Sequence, residues 1–331
     1  MKNHDRPATQ QVLRAFSSCL LALGDVTHAT SVDHILEDAM RTFQPLVRFD
    51  RAWWGQVAPD SAPPRNWLQG HIGLAPHFGA EWNQIATDDR FAHGSMQQLG
   101  RVIRSVDEDD AALPAEVLAF CDRWNLGHAM AITVELPGSG LLFFISLYRN
   151  FGTDAFSEED AGLFAAFSTH LLQAWRQRLA AIQVRLAMSS WDSFAVADAS
   201  GRLLYLGRRA AAELKSAFPD WSGWSLPAAL NASLAEPGAP ARVPPSITVQ
   251  RVGALVAVAC SRKAARRAGL TPSQWNAAVL YAQGQPHTAI AQRLGLTSAT
   301  VRTYLRDTYA QLGVRNKIAL LAALNDAAPD R

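Results

Sequence analysis

The sequence predicts a multidomain α+β protein with three parts: a mixed unit built on an antiparallel sheet over residues 1–185, a small α+β unit over 186–262, and a four-helix bundle over 263–331. Three observations carry this. The last seventy residues repeat apolar positions every three to four residues and are punctuated by Gly284, Gly295 and Gly313, which is the pattern of short helices separated by tight turns. Ala129 to Glu135 and Leu141 to Tyr148 alternate around Pro137-Gly138-Ser139-Gly140, the signature of a hairpin. Removing the helical end from 331 residues leaves about 260, enough for two further domains of ~100 to 170 residues with their own cores.

In the first part, helical periodicity covers Val12 to Leu23 and Val32 to Phe43, then Pro45 breaks it and Val47 to Val57 reads as a strand. Ala62 to Pro64 suggests a hairpin loop, with Trp67 to Ile72 returning. Glu81 to Thr87 is expected as a helix, Arg101 to Val106 as a strand and Pro114 to Trp124 as a helix before the hairpin. Ser157-Glu158-Glu159-Asp160 caps a long helix carrying Leu163, Phe164, Phe167, Leu171, Leu172 and Trp175, its acids lying where the helix dipole favours them.

In the second part, Phe194 to Asp198 is a buried strand, Ala199-Ser200-Gly201 a turn, Arg202 to Leu206 a second strand and Arg209 to Phe218 a helix. Ile247 to Val249 and Ala254 to Ala259 supply closing strands across a proline-rich loop from Glu236 to Pro245.

The third part is the most explicit. Thr271 caps a helix whose first position is Pro272, where the missing N–H costs nothing, and which runs to Gly284. Pro286 to Leu294 forms the next helix and Gly295 ends it. Thr297 caps a third, in which Val301, Leu305, Tyr309 and Leu312 recur on a buried face and Gly313 closes the end. Ser298, Thr300, Arg302, Thr303, Arg306 and Asp307 are left on its outward face. There, short polar groups can approach base edges, and arginine can bind phosphate or the O6/N7 edge of guanine. A fourth helix runs from about Asn316 to Asn325, with Arg315 and Lys317 at its start.

Leu270-Thr271-Pro272, Gly284, Ile290-Ala291, Leu296-Thr297, Thr300-Val301-Arg302, Leu305 and Leu312-Gly313-Val314 together resemble the LuxR-type (GerE-type) helix-turn-helix, over residues 270 to about 325. The resemblance implies that the helix from Thr297 to Leu312 enters the major groove. It also implies that the last helix pairs two subunits as a homodimer on an inverted-repeat operator in double-stranded DNA. The expected DNA-contacting set is Thr297, Ser298, Thr300, Val301, Arg302, Thr303, Arg306, Arg315 and Lys317. Ser273, Gln274, Trp275 and Asn276 stand where the family usually has charged residues, and Ala289 where a glutamate is common. These departures bear on helix-to-helix salt bridges rather than on DNA binding.

Charge supports the same reading. The chain has 31 Lys+Arg against 29 Asp+Glu, yet from residue 261 onward ten basic residues face only Asp307, Asp326 and Asp330. The excess positive charge sits where phosphates would be met, and the remainder is net acidic, which confines nonspecific DNA affinity to one part of the molecule.

The first part resembles GAF-like and autoinducer-binding-like sensor domains through Leu126-Gly127-His128, Leu147-Tyr148-Arg149 and Phe156-Ser157-Glu158-Glu159-Asp160. An α/β/α sensor is therefore expected. Trp53, Trp54, Trp67, Trp82 and Phe91 are the candidate ligand-binding residues, with ordinary packing as the competing account. Lactone recognition is not carried over, because the Trp-x-x-x-Tyr spacing fails and Asp88-Asp89-Arg90-Phe91 replaces the usual Asp-Pro pair. In the second part, Asp198-Ala199-Ser200-Gly201 between two strands resembles the opening of a PAS domain, in a unit short enough to be truncated.

Other functions find little support. No Gly-rich phosphate loop, G-x-S-x-G, H-E-x-x-H or paired-cysteine motif occurs, so no enzyme is expected. Cys19, Cys121 and Cys260 are isolated, and His71, His77 and His93 lack helical ligand spacing, so neither a disulfide framework, a metal nor a cofactor is expected. No run approaches the ~20 apolar residues of a membrane span. Phe16 to Leu23, interrupted by Ser17, Ser18 and Cys19, reads as an amphipathic helix rather than a signal-peptide core. The expectation is a cytoplasmic regulator answering to a small aromatic or apolar effector, or alternatively to a protein partner without a metabolite.

Overall fold

The computed structural model describes residues 5–29, 34–58, 64–107, 113–136, 138–185, 190–235, 244, 246–260, 270–282, 284–314 and 316–325. They fall into two compact units, the first comprising residues 1–241 with 249–259 and the second 242–248 with 260–331.

The first unit opens with helices α1 (Asp5–Ala29) and α2 (Ile35–Phe43), followed by strands β1 (Arg51–Ala58) and β2 (Arg65–Ile72). Next come α3 (Phe78–Ile85), α4 (Arg90–Gln97), β3 (Val102–Arg104) and α5 (Ala115–Trp124). The hairpin β4 (His128–Glu135) and β5 (Leu142–Arg149) leads into the long α6 (Glu158–Arg185). The five strands form one antiparallel sheet in the order β2-β1-β5-β4-β3.

Both faces of this sheet are buried, so its central strands read as continuous apolar runs. Side chains alternate across the pleat. Trp54, Ile72, Met130, Ile132, Ile145 and Leu147 face α1, α2 and α6, where Phe43 stacks on Phe167 at 4.3 Å and Trp175 is almost wholly buried. Trp53, Val57, Phe144 and Tyr148 face α3, α4 and α5. The result is the expected α/β/α arrangement.

A second antiparallel sheet, in the order β7-β6-β9-β8, is built from β6 (Phe194–Asp198), β7 (Leu203–Leu206), β8 (Ile247–Val252) and β9 (Leu255–Cys260), with α7 (Arg208–Ala217) and α8 (Ala228–Ala235). Phe194, Val196 and Tyr205 share one apolar core with α6. The turn after β6 is held by Asp198, whose Oδ1 accepts from Ser200 N–H (2.9 Å), Ser200 Oγ–H (2.6 Å) and Arg202 N–H (3.0 Å), while Oδ2 accepts from Arg202 Nε (2.9 Å). Burial pushes this carboxyl's pKa up, but the hydrogen bonds from Ser200 and Arg202 outweigh it and hold the pKa below its ordinary value.

The second unit is the helical bundle: α9 (Pro272–Ala282), α10 (His287–Leu294), α11 (Ser298–Leu312) and α12 (Lys317–Asn325). Its core gathers Ala277, Ala278, Ile290, Val301, Leu305, Leu320 and Leu324.

The expected elements differ most clearly in three places. The strand expected from Val47 begins only at Arg51. Residues 44–50 instead extend α2 as a turn, with Val47 N–H on Phe43 O (3.2 Å) and Gln44 Nε2 on Phe49 O (2.8 Å). Helix α4 has almost no apolar period, since of its residues only Ser95 is buried, and it is started instead by the Asp89 cap. Helix α8 also had no sequence signal strong enough to stand out. The loops placed at Ala62–Pro64 and Glu236–Pro245 lie largely outside the described residues.

Candidate functional site: a helix with exposed arginines and an aromatic cavity

In the bundle, local chemistry fixes where each helix begins and ends. Thr271 Oγ1 accepts from Gln274 N–H (3.3 Å) while Gln274 Oε1 accepts from Thr271 N–H (2.8 Å), a reciprocal capping box that satisfies two otherwise orphaned donors. Gly295 (φ 65°) and Gly313 (φ 62°) end α10 and α11 in the left-handed conformation. Thr297 Oγ1 caps α11 by accepting from Thr300 N–H at 3.1 Å, and the two hydroxyls meet at 2.8 Å. Asn316 Oδ1 does the same for α12 through Ala319 N–H (2.8 Å).

With α11 so placed, Arg302, Thr303 and Arg306 are exposed along one side, with Ser298 and Thr300 half-buried near its start and Thr297 exposed at the cap. Arg306 pairs with Asp307 at 3.2 Å in an open setting, where such a pair is readily exchanged for a phosphate. Lys317, at the start of α12, is exposed and rests over the Tyr281 ring at 5.0 Å, and Tyr281 in turn stacks on His287. Val301, expected among the DNA-contacting residues, is not on this exposed side. It is fully buried among Ile290 and Leu305, because it lies four residues before Leu305 on the inward stripe. Arg315 lies outside the described residues.

The second feature lies in the first unit, between the sheet and helices α3–α5. Trp53 projects from β1 into a cage of rings, with Phe144 at 4.6 Å, Phe78 at 5.0 Å and Trp82 at 5.2 Å, all edge-on. Trp82 is fixed by its Nε1–H donating to Asp89 Oδ2 (2.7 Å), while Asp89 Oδ1 caps α4 through Ala92 N–H (2.9 Å). One carboxylate thus sets both the indole and the helix beside it. Beneath them a cavity of about 40 Å³ is lined by Trp53, Trp82 and Phe91, with a polar spot where Ser95 and Thr133 hydroxyls meet at 2.6 Å. Trp82, Asp89, Phe91 and Tyr148 also wall a neighbouring cleft of about 360 Å³. The cavity alone is smaller than an ordinary ligand site, but the cleft falls within the range such sites occupy. Burial pushes the Tyr148 phenol far above its usual pKa against the pull of a Ser146 hydrogen bond, so it stays neutral, and burial with Asp89 and Asp122 nearby pushes the Cys121 thiol up to about 11.

The five aromatic candidates separate into two groups. Trp53, Trp82 and Phe91 converge on the cavity. Trp54 points to the opposite face and packs against Trp175 and Leu36, since adjacent strand residues cannot share a face. Trp67 leaves the sheet edge to stack on Trp221 at 5.4 Å with Arg65 over it at 4.8 Å. Neither Trp54 nor Trp67 lines the cavity. The Ser95–Thr133 pair was not found from sequence: isolated hydroxyl residues carry no pattern, and only the strand register brings them to this face.

Among the described residues, no group of three His, Cys, Asp or Glu side chains stands close enough to hold a metal, and no helix is long and apolar enough to cross a membrane. The three cysteines are not disulfide-bonded.

No curated protein matches the chain. Among solved structures, the chain is similar to the N-acylhomoserine lactone dependent LuxR family transcription factor CepR2 from Burkholderia cenocepacia, at 15% identity and a TM-score of 0.35, over 54% of this chain and 99% of that one. It is similar to Escherichia coli SdiA at 11% identity and a TM-score of 0.38, over 95% and 100%. It is also similar to the VqsR LBD domain from Pseudomonas aeruginosa at 16% identity and a TM-score of 0.39, over 48% and 94%. The match that agrees with the capped helices and the exposed arginines is that of residues 268–323 to GerE, the bacterial regulatory proteins of the luxR family. Residues 268–323 are therefore a LuxR-type DNA-binding domain, of the luxR family of bacterial regulatory proteins.

Proposed function

We propose that the chain is a transcriptional regulator in which α11 reads an inverted-repeat operator as part of a homodimer, and in which a small aromatic or apolar molecule in the α/β/α unit controls that reading. For DNA, the observation that carries the proposal is the exposed line of Arg302, Thr303 and Arg306 on a helix whose opposite stripe is buried. Arg302 and Arg306 would meet phosphate or guanine, Thr297, Ser298 and Thr300 would approach the backbone at the helix start, and Lys317, with Arg315, would add phosphate contacts. The proposed division is a sensor over 1–185, a PAS-like connector over 186–262 and a reader over 263–331. Such a regulator works in the cytoplasm, where the operator is.

For the ligand, the supporting observation is the Trp53–Trp82–Phe91 cavity beside an apolar cleft. A ligand acts only if it binds one arrangement of the unit better than another, so filling the cavity must cost or gain more in one state. A thermal-shift screen of the full chain against small aromatic and apolar compounds tests this. Saturable stabilisation is expected, rising as ligand exceeds its dissociation constant, and Ala131→Leu, which fills the cavity floor, should abolish it. Uniformly unchanged melting would overturn the ligand reading.

A specific observation favours the second reading, control by a protein partner. Val106, Leu118 and Phe151, exposed by 55%, 46% and 51%, stand around the cleft as apolar surface that a protein could also cover. Under that reading, substituting the three by Ser would weaken partner binding and leave the response of the chain to small molecules absent before and after.

A further inference from the structure

The cavity's principal indole is tied, through two intermediaries, to a tryptophan loop of the second sheet. Trp53 Nε1–H donates to Gln69 Oε1 at 3.3 Å, and the same oxygen accepts from Gly79 N–H at 3.1 Å, while Gln69 Nε2 donates to Pro76 O at 2.6 Å. One amide on β2 therefore positions both Trp53 and the first turn of α3, the helix that carries Trp82. Gly79 has no side chain because there is no room for one: a Cβ there would collide with Gln69 Oε1 and would come within 2.9 Å of Trp224 Cη2. Trp224 thus presses its ring edge onto the start of α3.

Trp224 sits in a loop that is itself firmly held. Its φ of 63° places a bulky residue in the left-handed region, a strained conformation that persists only where surroundings impose it. Here they do. Trp224 N–H donates to Trp67 O on β2 (2.9 Å), Trp224 O accepts from Leu203 N–H on β7 (2.9 Å), and Trp221 stacks on Trp67 while its Nε1–H donates to Ser225 O (2.6 Å). Arg65 Nη2 closes the loop from the other side by donating to Ser222 O (3.0 Å).

From this geometry we infer that Gln69 and Trp224 are positioning residues for the cavity, and that the loop around Trp221 and Trp224 couples the arrangement of Trp53 and Trp82 to the second sheet. Tilting the Trp53 indole breaks or relieves its bond to Gln69. Gln69 holds Gly79, and Gly79 bears the Trp224 ring, so the loop meets the change at its strained residue. The coupling is reciprocal, so loosening the loop alters the cavity to the same extent that filling the cavity alters the loop. The inference extends the reading of the cavity as a ligand site, and its first test is independent of any ligand.

The experiment uses the full chain labelled with 5-fluorotryptophan, its fluorine resonances assigned by single Trp→Phe variants. Trp224→Ala should move the Trp53 resonance by more than its linewidth while the Trp54 and Trp175 resonances, on the far face of the sheet, stay in place. Gln69→Leu should move Trp53 in the same way. Gln69→Glu, read at a pH low enough to protonate the carboxyl so that one oxygen accepts from Trp53 and Gly79 and the O–H donates to Pro76 O, should restore most of the wild-type position, a rescue that a merely structural loss would not show. An unmoved Trp53 resonance in Trp224→Ala, with folding confirmed by circular dichroism, overturns the coupling. If Trp224→Ala does not fold, the Gln69→Leu and Gln69→Glu pair decides it alone: no difference between them at Trp53 and Trp224 overturns the inference. Titration with N-phenyl-1-naphthylamine, a neutral apolar fluorophore, then reads the other direction. Binding that shifts Trp224, and that weakens about 5-fold or more in Trp224→Ala, supports the coupling. Binding at Trp53 that leaves Trp224 unmoved contradicts it. Absence of binding with the first result positive counts against the ligand reading and leaves the positioning role standing.

Discussion

Gln56 and Leu206, 150 positions apart, close a buried two-way hydrogen-bonded pair: Gln56 Nε2 donates to Leu206 O at 2.9 Å, and Leu206 N–H donates to Gln56 Oε1 at 2.8 Å. A side-chain amide here supplies both partners that the end of β7 would otherwise need from a neighbouring strand. It joins the first sheet to the second without any covalent or metal link. The same junction is reinforced where Arg208 N–H donates to Ser139 O (2.8 Å) at the β4–β5 turn.

Gln56→Leu should therefore destabilise the first unit out of proportion to its size. The substitution keeps the volume but leaves a buried N–H and a buried C=O of Leu206 without partners, each worth about 1–3 kcal/mol. Urea denaturation should show a loss of about 2 kcal/mol or more, with hydrogen exchange rising first in β6 and β7. A variant as stable as wild type would show that the pair contributes little.

Val301→Ala and Arg302→Ala should separate packing from reading within one helix. The first removes buried methyls and should cost about 2 kcal/mol of bundle stability by cavity formation, with operator affinity of the folded protein nearly unchanged. Equal loss of affinity in both, measured well below the melting temperature, would return Val301 to the DNA-facing set.

Arg302→Ala and Arg306→Ala should each weaken operator binding while leaving melting within about 0.5 kcal/mol, as expected at exposed positions. If the lost contact is to phosphate, the slope of log affinity against log salt should shrink by about one. If it is to guanine, the loss should be about 1–3 kcal/mol and depend on the base. Unchanged affinity and slope in both variants would displace α11 from the groove.

Asp198 gives a pH prediction. Its carboxyl is held below the ordinary carboxylate pKa, so the unfolded chain binds its proton more readily than the folded one. The stability it contributes is present above the unfolded value of about 3.9 and is lost as pH falls through the lower folded value. Asp198→Asn should flatten the acid limb of the denaturation profile below about pH 4, and an identical limb in the variant would remove Asp198 from the account.

Much of this was legible in the sequence, for physical reasons that differ by element. The bundle could be read nearly residue by residue because Thr271, Thr297, Gly295 and Gly313 act locally: caps and left-handed turns depend on the few residues beside them. The β4–β5 hairpin could be read from alternation. Helix α4 could not, since its start depends on one carboxylate also engaged by Trp82, and its buried Ser95 finds Thr133 38 positions away. The aromatic residues stand out by type, but sequence gives no register. Only the pairing of Trp53 with Ser146 and of Trp54 with Ile145 decides which indole meets the cavity.

That pairing has a practical corollary. A strand packed on both sides cannot slide by one position without exchanging every inward and outward group, so β1 is locked in register. Neighbouring Trp53 and Trp54 thus form a built-in signal and reference: one indole borders the cavity, the other is embedded in the helical core, and both ride on the same rigid backbone. Emission or resonance changes confined to Trp53 report an event in the cavity, while changes shared by both report motion of the strand itself.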